Sequence, residues 1–178
     1  FESNQYLNTY HNYSDIINSQ ENPISWSYNK LVYLPMVLAF KIPDILGLPF
    51  TVSLLLSRLT NLFVYITIIY LAIKNIPICK RLIAYIALLP GPMFLATQFS
   101  YDPPITAFVF LAIAMMAKMI LDKKAVSVID IIIFAISIII ASSPKAVYIL
   151  LILFPLFLPK HKFENDKQRK KIIIILAI

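Results

Sequence analysis

The chain has 178 residues, 60% of them apolar and 14% charged, with 16 Lys and Arg against 9 Asp and Glu for a net charge of +7. A domain of this length cannot hide so much apolar surface from water, so the surplus faces lipid and a water-soluble enzyme is excluded. The basic residues bracket apolar runs instead of covering one polar face, which excludes a nucleic-acid partner and fits the positive-inside bias of a membrane protein.

Residues 1–30, FESNQYLNTYHNYSDIINSQENPISWSYNK, are polar and poor in Lys and Arg, and are predicted to form an extracytoplasmic loop. Tyr6, Tyr10 and Tyr13 recur there at helical spacing, with Trp26 and Tyr28 close to the first apolar run. They suit an interfacial aromatic belt, or stacking against the flat faces of sugar rings. The next stretch, LVYLPMVLAFKIPDILGLPF, is broken by Pro35, Lys41, Pro43, Asp44, Gly47 and Pro49. Its uninterrupted pieces are too short to span, so residues 31–46 are expected to form an interfacial or re-entrant helix.

Five spans are then predicted at 51–73, 82–99, 104–121, 125–141 and 145–158, and the run at 172–178 begins a further one. Pro90 and Pro92, flanking Gly91, are expected to kink the second span. The fifth is short, about 21 Å for 14 α-helical residues. Charge supports its crossing: if every run crosses, Lys74, Lys80, Arg81, Lys123, Lys124 and the run KHKFENDKQRKK at 160–171 gather on one side, the cytoplasmic one. Residues 1–30, Asp102 and the Ser142–Lys145 turn then lie outside. Both ends of the sequence read as cuts, and an internal piece of a longer membrane protein is expected.

Cys79 is the one cysteine, which excludes an internal disulfide and a cysteine metal site, and His11 and His161 have no ligand spacing around them. The polar residues that remain are few. Asp102, in SYDPP, suits a helix cap followed by Pro103, and equally a base or metal ligand at the outer boundary. Arg58 lies seven residues inside the first span, where a guanidinium must snorkel, pair with an acid, or hold a phosphate in a cavity. Lys145 marks the outer interface or offers a second cationic contact, with Tyr148 one turn further in. Asp130, near the cytoplasmic end of the fourth span, is expected to pair with a Lys or Arg.

The order of these features resembles a known family. YNKLVYLPMVLAFKIPDILGLPF followed by SLLLSRLTNLFVYITIIYLAI resembles C-type glycosyltransferases, with an outer loop, a Tyr- and Pro-containing juxtamembrane helix and a span carrying RL.N. LLPGPMFLATQFSYDPPITAFVFLAIA is similar to the P…S.D segment of a family of bacterial membrane proteins, domain of unknown function 2142, and ASSPKAVYILLILFPLFLP to its later Lys-and-Tyr segment. The likeness covers most of residues 28–160. It implies an all-α polytopic transmembrane bundle of C-type glycosyltransferase-like fold in the cell membrane.

The implied activity is transfer of a sugar from a polyprenyl-phosphate donor to an envelope glycan or other acceptor on the outer face. The resemblance matches Asp102 to the family's second outer acid, and transfer chemistry makes it the expected catalytic residue, as base or as ligand to a divalent cation. Arg58 and Lys145 would contact phosphate, with Tyr28 and Tyr148 lining the substrate site. Its first-loop acid would lie upstream of this sequence, or be Glu2, Asp15 or Glu21. Membrane lipid, the lipid-linked sugar and a glycan acceptor are the implied partners. A flippase or transporter of lipid-linked glycans and a non-catalytic membrane subunit are the alternatives. The polar groups gather near the outer side and no repeat is evident, which favours the enzyme over the transporter.

Overall fold

The structure, a computed structural model, describes residues 30–122, 125–144, 146–159 and 162–163. Tyr28, Lys145, most of the expected outer loop and the 172–178 run lie outside the described residues. All regular elements among the described residues are helical: a 3₁₀ turn η1 (Lys30–Tyr33), α1 (Leu34–Ile45), α2 (Phe50–Asn75), α3 (Lys80–Ala87), α4 (Pro90–Ala96), α5 (Asp102–Leu121), α6 (Val128–Ser142) and a second 3₁₀ helix η2 (Ala146–Phe157). Of these, α2 and α5 are long and apolar enough to cross a membrane.

α1 folds back on α2 through a turn that needs glycine. Gly47 has φ +68°, and Leu48 N–H donates 3.0 Å to Pro43 O, closing the last turn of α1 in a Schellman arrangement. Pro49 then leads directly into α2. The hairpin is held from within by Ser57, whose Oγ lies 3.0 Å from Met36 O and 2.9 Å from Ser53 O.

α2 is polar inside and apolar outside. Ser53, Ser57, Asn61 and Tyr65 recur every four residues on its buried face, continued by Ile69 and Ala72, while Leu55, Leu59, Phe63, Ile66 and Tyr70 are exposed. This is the arrangement expected where the surroundings are as apolar as the core. Helices then gain nothing by hiding leucine from water, and associate through small residues and interhelical hydrogen bonds. α5 packs along this face, and Ala72 and Ile76 of the α2 end meet Met115 and Met119 of the α5 end in one cluster.

The expected second span is two helices, broken at Leu88 and Leu89 between α3 and α4. Pro90 and Pro92 have no N–H to return to the preceding turn. Tyr65 OH donates 2.9 Å to Ala87 O at this break, so α2 supplies a donor where the helix is interrupted.

At the end of α5 away from Asp102, two contacts close the bundle. Lys118 Nζ pairs with Asp130 Oδ1 at 2.8 Å, giving Asp130 the basic partner the sequence suggested. Lys162 Nζ donates to Ile120 O at 2.7 Å and to Asp122 O, and Val126 N–H donates to Lys162 O at 2.8 Å. The chain after η2 has therefore returned to the end where α5 finishes. As a 3₁₀ helix rising about 2.0 Å per residue, η2 covers roughly 24 Å, close to the roughly 22 Å of α6. Tighter winding thus supplies the length that an α-helical count of the same run lacked.

Replacing Gly47 by Ala should lower stability by about 1 kcal/mol, because the turn demands a left-handed backbone while the added methyl meets nothing within 4 Å. SDS-titrated unfolding in mixed micelles measures this, and an unchanged midpoint would show that the turn does not need glycine.

Candidate functional site

The candidate site is assembled around the loop that joins α4 to α5. Asn61, 1% exposed in the middle of α2, donates through Nδ2 to Gln98 O at 2.7 Å and to Ser100 O at 3.1 Å. Both carbonyls belong to a stretch with no regular ladder to satisfy them, and one side-chain amide holds both. Its own Oδ1 is buried and has no hydrogen-bond partner among the described residues.

This loop delivers Asp102 to the first turn of α5. Ser100 Oγ lies 3.3 Å from Asp102 Oδ2, to which it donates, and 3.3 Å from the Asp102 N–H, which it accepts. Thr106 Oγ1 donates back to Asp102 O at 2.9 Å. The sequence suggested an Asp cap with Pro103 first in the helix. In the structure Tyr101 is the residue before the helix, Asp102 is its first residue and Pro103 follows. Prolines cost little here, because first-turn N–H groups have no intrahelical acceptor, and the carboxylate faces the positive end of the helix dipole.

Aromatic rings enclose this corner. The Tyr33 ring, from η1, meets Tyr101 edge-on at 5.8 Å and tilts against Phe99 at 6.2 Å. Burial raises the Tyr33 phenol above its usual value of 10.0, with further contributions from the neighbouring Tyr101 and Asp102, so it remains an O–H donor beside the carboxylate. Tyr101 and Tyr148 both pack on a small core of Val32, Ile105 and Ala141. Asp102 and Tyr148, singled out separately in the sequence, therefore belong to the same end of the bundle, where η1, the start of α5, the end of α6 and the start of η2 meet.

Arg58 lies off the buried face of α2. It is exposed on α2 and makes no ion pair or hydrogen bond with a described residue. The reason lies in the helical period: Ser53, Ser57, Asn61 and Tyr65 fix the inward face, and position 58 falls about 100° from Ser57. It sits within one turn of Asn61, and so near the depth of the loop that Asn61 holds. Lys145 and Tyr28 lie outside the described residues. Among the described residues no three His, Cys, Asp or Glu side chains come together, so these residues alone do not make a divalent-cation site.

Asn61 entered the sequence reading only as the last residue of the RL.N motif, and Tyr33 and Tyr65 were not singled out as candidates. Their signal was present for α2, where Ser, Ser, Asn and Tyr at steps of four trace one stripe through an apolar run. Tyr33 carried no comparable signal, because its importance comes from contacts with residues nearly 70 positions away.

A family profile described as "Predicted membrane protein (DUF2142)" matches residues 2–178. No curated protein and no solved structure matches the chain.

Removing the Asn61 amide leaves Ser100 O without its donor and Gln98 O with the Ser100 N–H alone. Asn61→Ala should cost about 1–2 kcal/mol in the same unfolding assay, and an unchanged midpoint would remove Asn61 from its holding role. For Tyr33, whose folded value is raised, the stabilising contribution is complete below the unfolded value near 10 and is lost as pH climbs through the folded one. Phenolate absorbance of the wild type minus that of Tyr33→Phe should therefore titrate above pH 10, and a midpoint at or below 10 would contradict the burial described.

Proposed function

Because the chain belongs to DUF2142, a family of predicted membrane proteins, we propose that it acts in the membrane as a glycosyltransferase-like protein, moving a sugar from a polyprenyl-phosphate donor to an acceptor hydroxyl on the extracytoplasmic face. In this reading α2, the α3–α4 pair, α5, α6 and η2 cross in turn. Lys74, Lys80, Arg81, Lys118 and the basic run after Pro159 face the cytoplasm, and Asp102 lies at the opposite end.

One observation carries the reading. A carboxylate is held by Ser100 at the start of α5, and a guanidinium faces outward from α2 at nearly the same depth, able to meet a phosphate that arrives within the lipid phase. Transfer needs both charges. Asp102 takes the proton from the acceptor hydroxyl as its oxygen attacks the anomeric carbon. The bond from that carbon to the phosphate oxygen breaks, and the electron pair leaves with the lipid phosphate, whose growing charge Arg58 and Lys145 stabilise. Tyr28 and Tyr148 line the sugar, and Tyr33 donates beside the carboxylate.

The test is mass spectrometry of surface glycans from hosts carrying the full-length gene, its deletion or Asp102→Asn, with membrane levels of the variant matched. The deletion and Asp102→Asn should lose the same sugar. An intact glycan in Asp102→Asn beside an altered one in the deletion would reduce Asp102 to a helix-start residue and favour a flippase.

A further inference from the structure

We infer that α1 and the first three turns of α2 form a hairpin set into one leaflet, its tip where acyl chains meet headgroups, so that the Asp102 loop lies in a step below the membrane surface and open sideways to lipid. The inference depends on α2 crossing the membrane and not on the transferase reading.

The step follows from the register of the helices. Asn61 is eleven residues into α2, about 16 Å from its start at 1.5 Å per residue, yet its amide holds the carbonyls just before α5. At the other end Ala72 and Ile76 share one cluster with Met115 and Met119. α5 therefore begins beside the loop, whereas most of the eleven residues of α2 before Asn61 stand above it. α4 stays on the lower side of the loop, since Ala96 packs with Tyr65, Ile69 and Ala107. α6 and η2 reach the level of Ile105, where Ala141 and Tyr148 pack. Among the described residues only α1 and the start of α2 rise past it.

Lipid is the occupant that suits this hairpin. The exposed face of a spanning helix, at Phe63, Ile66 and Tyr70, continues upward through Leu59, Leu55 and Phe50. At the tip Ile45, Leu46 and Leu48 are exposed, with Leu38 and Ile42 behind them on α1. A tip in water would not carry a continuous apolar surface of this kind. Lys41 and Arg58 interrupt it, and both have stems long enough to carry the charge toward headgroups. Counting about 20 residues for the hydrocarbon core from Ile73, the last apolar residue before Lys74, places its upper boundary near Leu54. Asn61 and the loop it holds then lie roughly 10 Å beneath that boundary. A phosphate or sugar carried on a lipid would enter from the side, past Arg58.

Tryptophan depth measurement decides this. In a Trp26→Phe background, the full chain carrying Leu46→Trp or Phe99→Trp is reconstituted into phosphatidylcholine bilayers brominated at shallow or deep acyl positions. Both sites are exposed, at 70% and 41%, and helix content by circular dichroism confirms folding. Leu46→Trp should lose most fluorescence with the shallow bromines and Phe99→Trp with the deep ones, and both should resist aqueous acrylamide. Quenching of Leu46→Trp by acrylamide but by neither bromolipid would overturn the inference, as would a Phe99→Trp no deeper than Leu46→Trp. Leu48→Trp and Phe94→Trp provide a second shallow and deep pair if either first variant misfolds.

Discussion

The side-chain amide of Asn61, held between two loop carbonyls, is the constraint on which the Asp102 end depends. In an apolar medium a carbonyl without a protein partner has no water to turn to, so one amide serving two carbonyls fixes the loop far more firmly than it would at a soluble surface. The position of Ser100, the entry of α5, the direction of Asp102 and the ring of Tyr101 against Tyr33 all follow from where that loop is held. Ser57 and Tyr65, one turn above and one turn below, do for α1 and for the α3–α4 break what Asn61 does for the loop. One stripe on one helix therefore organises three neighbouring segments.

The two ends of the bundle are built from different chemistry. The Lys118 end is ionic, with an Asp–Lys pair and a lysine closing the carbonyl end of α5. The Asp102 end is closed by the Asn61 amide, aromatic packing and the Ser100 hydroxyl, which donates to the Asp102 carboxylate. The ion pair at the first end holds α5 to α6, and Lys162 holds α5 to the segment after η2, whereas the second end keeps its polar groups facing one another around a loop.

Composition and charge order made the helical membrane class, the break at Pro90 and Pro92 and the partner of Asp130 legible in the sequence. Each of these is local, or depends on a residue type whose physics leaves little choice. Arg58 was left open between snorkelling, pairing and a phosphate cavity, although the four-residue step of Ser53, Ser57, Asn61 and Tyr65 already assigned the inward face elsewhere. The winding of η2 was not legible at all. AVYILLILFPLF has the same apolar content whether it rises 1.5 or 2.0 Å per residue, and only its neighbours select the longer form. Tyr33 was invisible for a similar reason, because its surroundings come from distant parts of the chain.

The interruption at Leu88 and Leu89 has a mechanical consequence. Bending a continuous helix breaks hydrogen bonds, but Pro90 and Pro92 have none to give to the preceding turn, so flexing at this joint forfeits little that the straight form possessed. α4 is seven residues long, about 10 Å, and a tilt of about 10° would carry its far end nearly 2 Å. That far end is the loop gripped by Asn61. The joint and the grip thus tie the placement of Asp102 to the tilt of α4: any change in that tilt would have to be taken up in the loop that Asn61 holds.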